Sequence, residues 1–286
     1  MPATHRVPSS DGVTLALHDL GGDGPALLLC HPTGFHALTW APLAAELAPV
    51  AHCWALDFRG HGDSTAPDDG DYQWRGMAAD VRAAVDHIVE HAGRPAGGLL
   101  GVGHSMGGAA LVMAEQARPG TFAGLWLFEP IIVPPPEGTP RPAGNPLADA
   151  ARRRRPRFPD REAAYANYAS KPPLNTLTPA ALRAYVDHGF RDLPAGGVEL
   201  KCSPEVEAAV FSASFDTDVF ARLGEVRCPV TVGASGDGGM PAGMAPLVVE
   251  ALPDGRLETF PDLTHFGPME DPPAVAAAIR AGLGLV

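Results

Sequence analysis

Residues 98–117 read GLLGVGHSMGGAALVMAEQA. The apolar run 98–102 has the length and composition of a buried strand. From Met106 to Ala117 the apolar positions suit a helix, which Pro119 and Gly120 then end. Between the two lies Gly103-His104-Ser105-Met106-Gly107, a G-x-S-x-G pattern in the strand–turn–helix setting that gives it meaning. The turn is so tight that side chains at 103 and 107 would meet neighbouring backbone, and the serine is forced out at the tip. The helix that starts there points free N–H groups and its positive dipole end at any negative charge developing on that serine.

Outward from this turn, short apolar runs alternate with amphipathic stretches. Strands are predicted at 13–18, 26–30, 53–58 and 122–128, and a helix at 77–91. After residue 215 the pattern returns, with strands at 229–233 and 256–260 and helices at 242–252 and 273–283. Strands alternating with helices predict an α/β fold, a doubly wound and mostly parallel sheet with its ligands at the carboxyl ends of the strands. Residues 134–215 differ: they are rich in Pro and Arg, show no strand pattern, and predict helices at 160–169, 179–188 and 204–211. The expected organisation is a core of 1–133 and 216–286 with a helical cap inserted at 134–215, hinged at its proline-rich edge, 134–136.

The chain has 286 residues, 45% hydrophobic and 19% charged, enough for a substantial core without disulfides or a structural metal. Its net charge of −12 disfavours nucleic acid and anionic membrane surfaces as partners. The basic run Arg152–Arg155 reads as a solvated helix face. Cys30, Cys53, Cys202 and Cys228 show neither CxxC nor zinc-finger spacing, which fits a reduced, cytoplasmic protein. The first residues carry no apolar segment of the signal-peptide kind, and no apolar run is long enough to span a bilayer.

Three more segments join the serine turn in a resemblance. Leu29-Cys30-His31-Pro32-Thr33-Gly34-Phe35 resembles the oxyanion loop of the α/β-hydrolase superfamily. Asp57-Phe58-Arg59-Gly60-His61-Gly62-Asp63-Ser64 resembles the turn that family carries after its next strand, where Arg59 and Asp63 are expected to bond locally. Thr264-His265-Phe266-Gly267-Pro268-Met269-Glu270-Asp271-Pro272 resembles its catalytic-histidine loop. The segments lie in family order, and the insertion falls where the family carries its cap. The chain is therefore identified as similar to serine-nucleophile, esterase- or lactonase-like members.

That resemblance implies roles. Ser105 is the expected nucleophile and His265 its base. The oxyanion hole needs two backbone donors, expected from Met106 and from Thr33, with Gly34 the lesser substitute. Pro32 stands where the family usually has Gly, but the donor is the next residue. His31 and His104 are supports. His36 and Trp40, with Gly34, are candidates to line the substrate pocket, and Trp40 serves equally well as core. Phe158, Tyr165, Tyr168, Tyr185 and Phe190 are candidate apolar contacts from the cap.

Two residues compete for the third member of the triad. The family's usual acid follows the strand at 229–233, which points to Asp237 with Pro241 behind it, although Ala234 replaces an expected Gly. Some members instead place the acid where Glu129 stands, at the end of the strand before the insertion. A carboxylate leaving an apolar strand is costly without a partner, and the His265 ring would be one. Glu129 is preferred and both remain candidates.

A serine at the nucleophile position excludes the dehalogenase and epoxide-hydrolase chemistries of the family, which need Asp there. The expected function is hydrolysis of a small-molecule carboxylic ester or lactone through an acyl-enzyme, requiring neither metal nor organic cofactor. The rivals are carbon–carbon bond hydrolysis, aminopeptidase action, perhydrolysis or acyl transfer on the same residues, or a ligand receptor on a hydrolase scaffold. Monomer and homodimer both stay open.

Overall fold

The computed structural model describes residues 2–92, 98–134, 144–215 and 217–285. Residues 135 and 136 of the expected hinge lie outside them. Among the described residues, eight strands form one sheet: β1 (Ala3–Pro8), β2 (Thr14–Gly21), β3 (Ala26–Cys30), β4 (His52–Asp57), β5 (Leu100–His104), β6 (Gly124–Phe128), and, from the chain's last third, β10 (Val230–Ser235) and β11 (Gly255–Phe260). Their order is β1-β2-β4-β3-β5-β6-β10-β11. From β4 to β11 every pairing is parallel, and β2 runs against both its neighbours. The N-terminal strand β1 escapes sequence reading because His5 and Arg6 interrupt its apolar positions. It forms as an edge strand along β2.

The central strands are apolar on both faces, so successive residues serve two cores. Leu28, Leu56, Leu127 and Val232 face a layer that contains α2 (Trp74–Ala92), α3 (Met106–Ala117) and α8 (Met240–Ala251). Leu27, Leu29, Val102 and Phe128 face α1 (Ala41–Leu47) and α10 (Pro272–Leu283). Trp40, 1% exposed, belongs to this second core rather than to a pocket wall. The four cysteines are buried free thiols.

The segment between β6 and β10 holds α4 (Pro146–Arg152), α5 (Arg161–Ala169), α6 (Pro179–Gly189) and α7 (Pro204–Ser212). It is not purely helical. β7 (Arg157–Phe158), β8 (Phe190–Asp192) and β9 (Val198–Leu200) form a small antiparallel sheet in the order β7-β9-β8. Strands of two or three residues are too short to show a period of two, which is why the sequence pattern hides them. Side-chain caps define the helices instead: Asn145, Asp160, Thr178 and Ser203 each accept a first-turn N–H.

Candidate active site

The site is assembled from the ends of adjacent strands. β5 passes into α3 through Ser105, held at φ 55° and ψ −117°. Space, not only torsion, dictates the glycines around it. A Cβ on Gly103 would lie 2.7 Å from the Gly108 Cα, and one on Gly107 2.3 Å from the Cys30 carbonyl oxygen. The turn is tied to the next strand, since Ser105 N–H donates to the Phe128 carbonyl at 3.0 Å. Ser105 is 7% exposed.

Glu129 follows β6 directly and also has a positive φ, 44°. Such strain in a non-glycine residue persists where surroundings enforce it, often at functional positions. Its carboxylate is fully buried and doubly engaged. Oε1 accepts the Ser235 N–H at 2.8 Å, and Oε2 accepts from His265 Nδ1 at 2.5 Å. Because a carboxylate only accepts, the His265 proton sits on Nδ1, which leaves the Nε2 lone pair available as a base.

His265 comes from the loop between β11 and α9 (Gly267–Glu270). Glu270 clamps that loop, accepting the Thr264 N–H at 2.8 Å and its hydroxyl at 2.5 Å. Asp237 supports the loop in another way. It accepts the backbone N–H of His265 at 3.2 Å, together with Ser235 Oγ and Gly239 N–H. The Gly239 N–H above all, with Ser235 and His265, holds its carboxyl below the usual range. The structure thus brings Glu129 to the imidazole and Asp237 to the main chain behind it.

On the other side lies the loop after β3. His31 Nδ1 donates to the Pro32 carbonyl, and its Nε2 accepts the Phe58 N–H. His61 Nδ1 donates to the Arg59 carbonyl, and its Nε2 accepts the Gly34 N–H at 3.2 Å. Two imidazoles, each donor and acceptor at once, therefore brace the loops after β3 and β4. Both must be neutral to do so. Burial pushes His31 down to about 3 and lowers His61 as well. Thr33, 7% exposed, precedes the committed Gly34 N–H. Asp57 ties the same region together, accepting from Ala37 N, Asp63 N and His18. Arg59 does not bond locally. It crosses to Asp80 and Asp11, bonds too long-range for the turn's own sequence to reveal.

The insertion meets this loop through Tyr185, which a buried charge inside the insertion holds in place, a feature the sequence reading missed. Arg154, expected on a solvated face, turns inward to Glu207, Tyr185 Oη at 2.5 Å and Tyr168 Oη at 3.2 Å. Its neighbours Arg152, Arg153 and Arg155 do stay at the surface or near it. Tyr185 Oη donates on to the Gly34 carbonyl at 3.4 Å, and His36 Nε2 donates to the Tyr185 carbonyl at 3.1 Å. Phe35 stacks on Phe266 and meets the Tyr185 ring at a tilt. His36 lines a small cleft with Gly34, Phe35 and Tyr185, and neither Ser105 nor His265 borders it. His104 sits against the His265 ring at 4.8 Å, where burial and that ring keep it neutral.

A mostly parallel sheet with a strained serine between strand and helix defines a class, and the chain belongs to the alpha/beta hydrolase family, whose pattern matches residues 27–278. Within it the chain is similar to protein phosphatase methylesterase 1 of Mus musculus, 33% identical over 144 residues, which are 49% of this chain and 35% of that protein. It is also similar to the type I acyl-CoA thioesterase mpaH' of Penicillium brevicompactum, 27% identical over 211 residues, 68% of this chain and 46% of that protein. The chain spans less than half the length of these relatives. Its fold is that of E-2-(acetamidomethylene)succinate hydrolase, with a TM-score of 0.80 at 22% identity, covering 99% of this chain and 100% of that one. Among the described residues, no helix is long and apolar enough to cross a membrane.

Proposed function

We propose that the protein is a serine hydrolase of small carboxylic esters or lactones, with Ser105, His265 and Glu129 as its triad. The observation that carries this reading is the 2.5 Å contact between His265 Nδ1 and a buried Glu129 carboxylate, next to a serine held at φ 55°. His265 Nε2 takes the Ser105 proton as Oγ bonds to the carbonyl carbon, and the carbonyl π electrons move to oxygen. The N–H groups of Met106 and Thr33 receive that oxyanion. Gly34 is the poorer donor because its N–H is already given to His61. On collapse His265 returns the proton to the leaving alkoxide, and the acyl-enzyme forms. Water, activated by the same nitrogen, then releases the acid and restores Ser105.

The similarity to a methylesterase and a thioesterase supports acyl-ester chemistry in general. Phe266, next to His265 and packed on Phe35, supports an apolar acyl group rather than a charged one. Hydrolysis of p-nitrophenyl acetate and butyrate by wild type and Ser105→Ala tests the reading. Wild type is expected to turn over both, and the variant to lose about a thousandfold or more in kcat/KM. Full activity in Ser105→Ala overturns the mechanism, and turnover of charged esters alone overturns the substrate class.

A further inference from the structure

His5, His87 and His91 meet at the β1 edge of the sheet, where β1 lies four strand positions from the β5 that carries Ser105. His87 and His91 are one helical turn apart on α2, so their side chains share a face, and their rings stack at 3.7 Å. His5 on β1 brings a third ring to 4.9 Å from His87 and 5.8 Å from His91. One ring nitrogen of each lies within 4.8 Å of those of the other two.

Two further details point to a ligand. His91 Nδ1 contacts the His87 carbonyl at 2.9 Å. A carbonyl can only accept, so the proton is on Nδ1 and Nε2 carries a lone pair. A histidine that ligates a metal through Nε2 is commonly oriented in this way. The Nε2 of His87, in turn, is buried and has no hydrogen-bond partner. A buried polar atom without a partner calls for an explanation, and the protein offers it none. Another cluster, His18 with Asp57 and Asp63, differs here. Its carboxylates are engaged by Ala37 N, Asp63 N and Lys201.

We propose that His5, His87 and His91 form a site for a borderline divalent transition ion, of which Zn2+ is the type. Neutral imidazoles select such ions over Mg2+ or Ca2+, which prefer oxygen. Zinc–nitrogen bonds of about 2.0–2.1 Å require the three nitrogens to close in slightly, a motion that side-chain rotation supplies, and water completes the tetrahedron. The site is not part of the ester chemistry. It joins edge strand β1, hydrogen-bonded only to β2 among the described strands, to helix α2, and its effect is to stabilise that edge.

The test titrates zinc chloride into protein freed of metal by chelation and desalting, read by calorimetry and by the melting temperature. Wild type is expected to bind one ion, with a saturable rise in Tm that magnesium chloride does not produce. His91→Ala changes an exposed residue, so its fold is retained, and it should weaken binding by about tenfold or more. His5→Gln, on the opposite element, should do the same. The proposal fails if wild type binds zinc no better than millimolar, if magnesium shifts Tm equally, or if both variants keep the wild-type affinity.

Discussion

Glu129 and Asp237 make opposite forecasts although both lie near His265. Glu129→Gln keeps the size of the side chain but removes the charge that orients the imidazole and stabilises its protonated form. It is expected to lower kcat by about a thousandfold or more. Asp237→Asn keeps one of the two oxygens that accept the Gly239 and His265 N–H groups and so gives up one of these bonds, but the imidazole contact with Glu129 is untouched, and its effect on kcat should stay within about tenfold. Parallel p-nitrophenyl ester kinetics on the two variants separate them, and a collapse of Asp237→Asn alone would reverse the assignment. Both carboxylates were visible in the sequence as candidates. What favours Glu129 in the proposed triad is its backbone turn and the 2.5 Å contact with His265, and neither has a local sequence signal.

At the scale of elements, Tyr185 joins the insertion to the β3 loop through Gly34 and His36, and the Arg154–Glu207 pair with the Tyr168 hydroxyl holds Tyr185 from within the insertion. Removing one partner leaves the other charge largely buried. Glu207→Ala is expected to cost about 3–5 kcal/mol in urea unfolding. Arg154→Met with Glu207→Leu should cost less than Glu207→Ala, because no lone charge remains. A double variant as unstable as the single one would contradict this. The elbow was legible because glycine and serine there answer a steric demand made within a few residues. Arg154 was not, since a run of four arginines looks solvated and only the fold shows which of them meets α7. The short strands β7, β8 and β9 were hidden for a related reason: their pairing is long-range, and their length gives no pattern. The central strands, apolar on both faces, announced themselves and hence the sheet.

For the whole molecule, the neutral buried imidazoles set an acid limit. Burial holds His31 down to about 3 and His36 down to about 4, and lowers His61 and His104. Unfolded, each returns to the ordinary histidine value of 6.5. As pH falls below that value the unfolded chain takes up protons that the fold refuses. The stability they allow is complete above about pH 6.5 and drains away toward pH 3–4, by up to about 1.4 kcal/mol per pH unit for each histidine. Urea midpoints should therefore fall steeply between pH 7 and 5, and a flat profile would show that these rings protonate within the fold. Carboxylates such as Asp57 enter only lower, below their unfolded value of 3.8. The buried thiols have a practical consequence of another kind. Burial pushes Cys53 and Cys228 up to about 12, and Cys30 and Cys202 higher still, so little reactive thiolate forms at neutral pH. A cysteine introduced at Leu147, 57% exposed on α4, would react with a maleimide dye ahead of all four. The chain is in effect its own cysteine-free background, and a fluorophore there would show whether α4 moves when an ester is added.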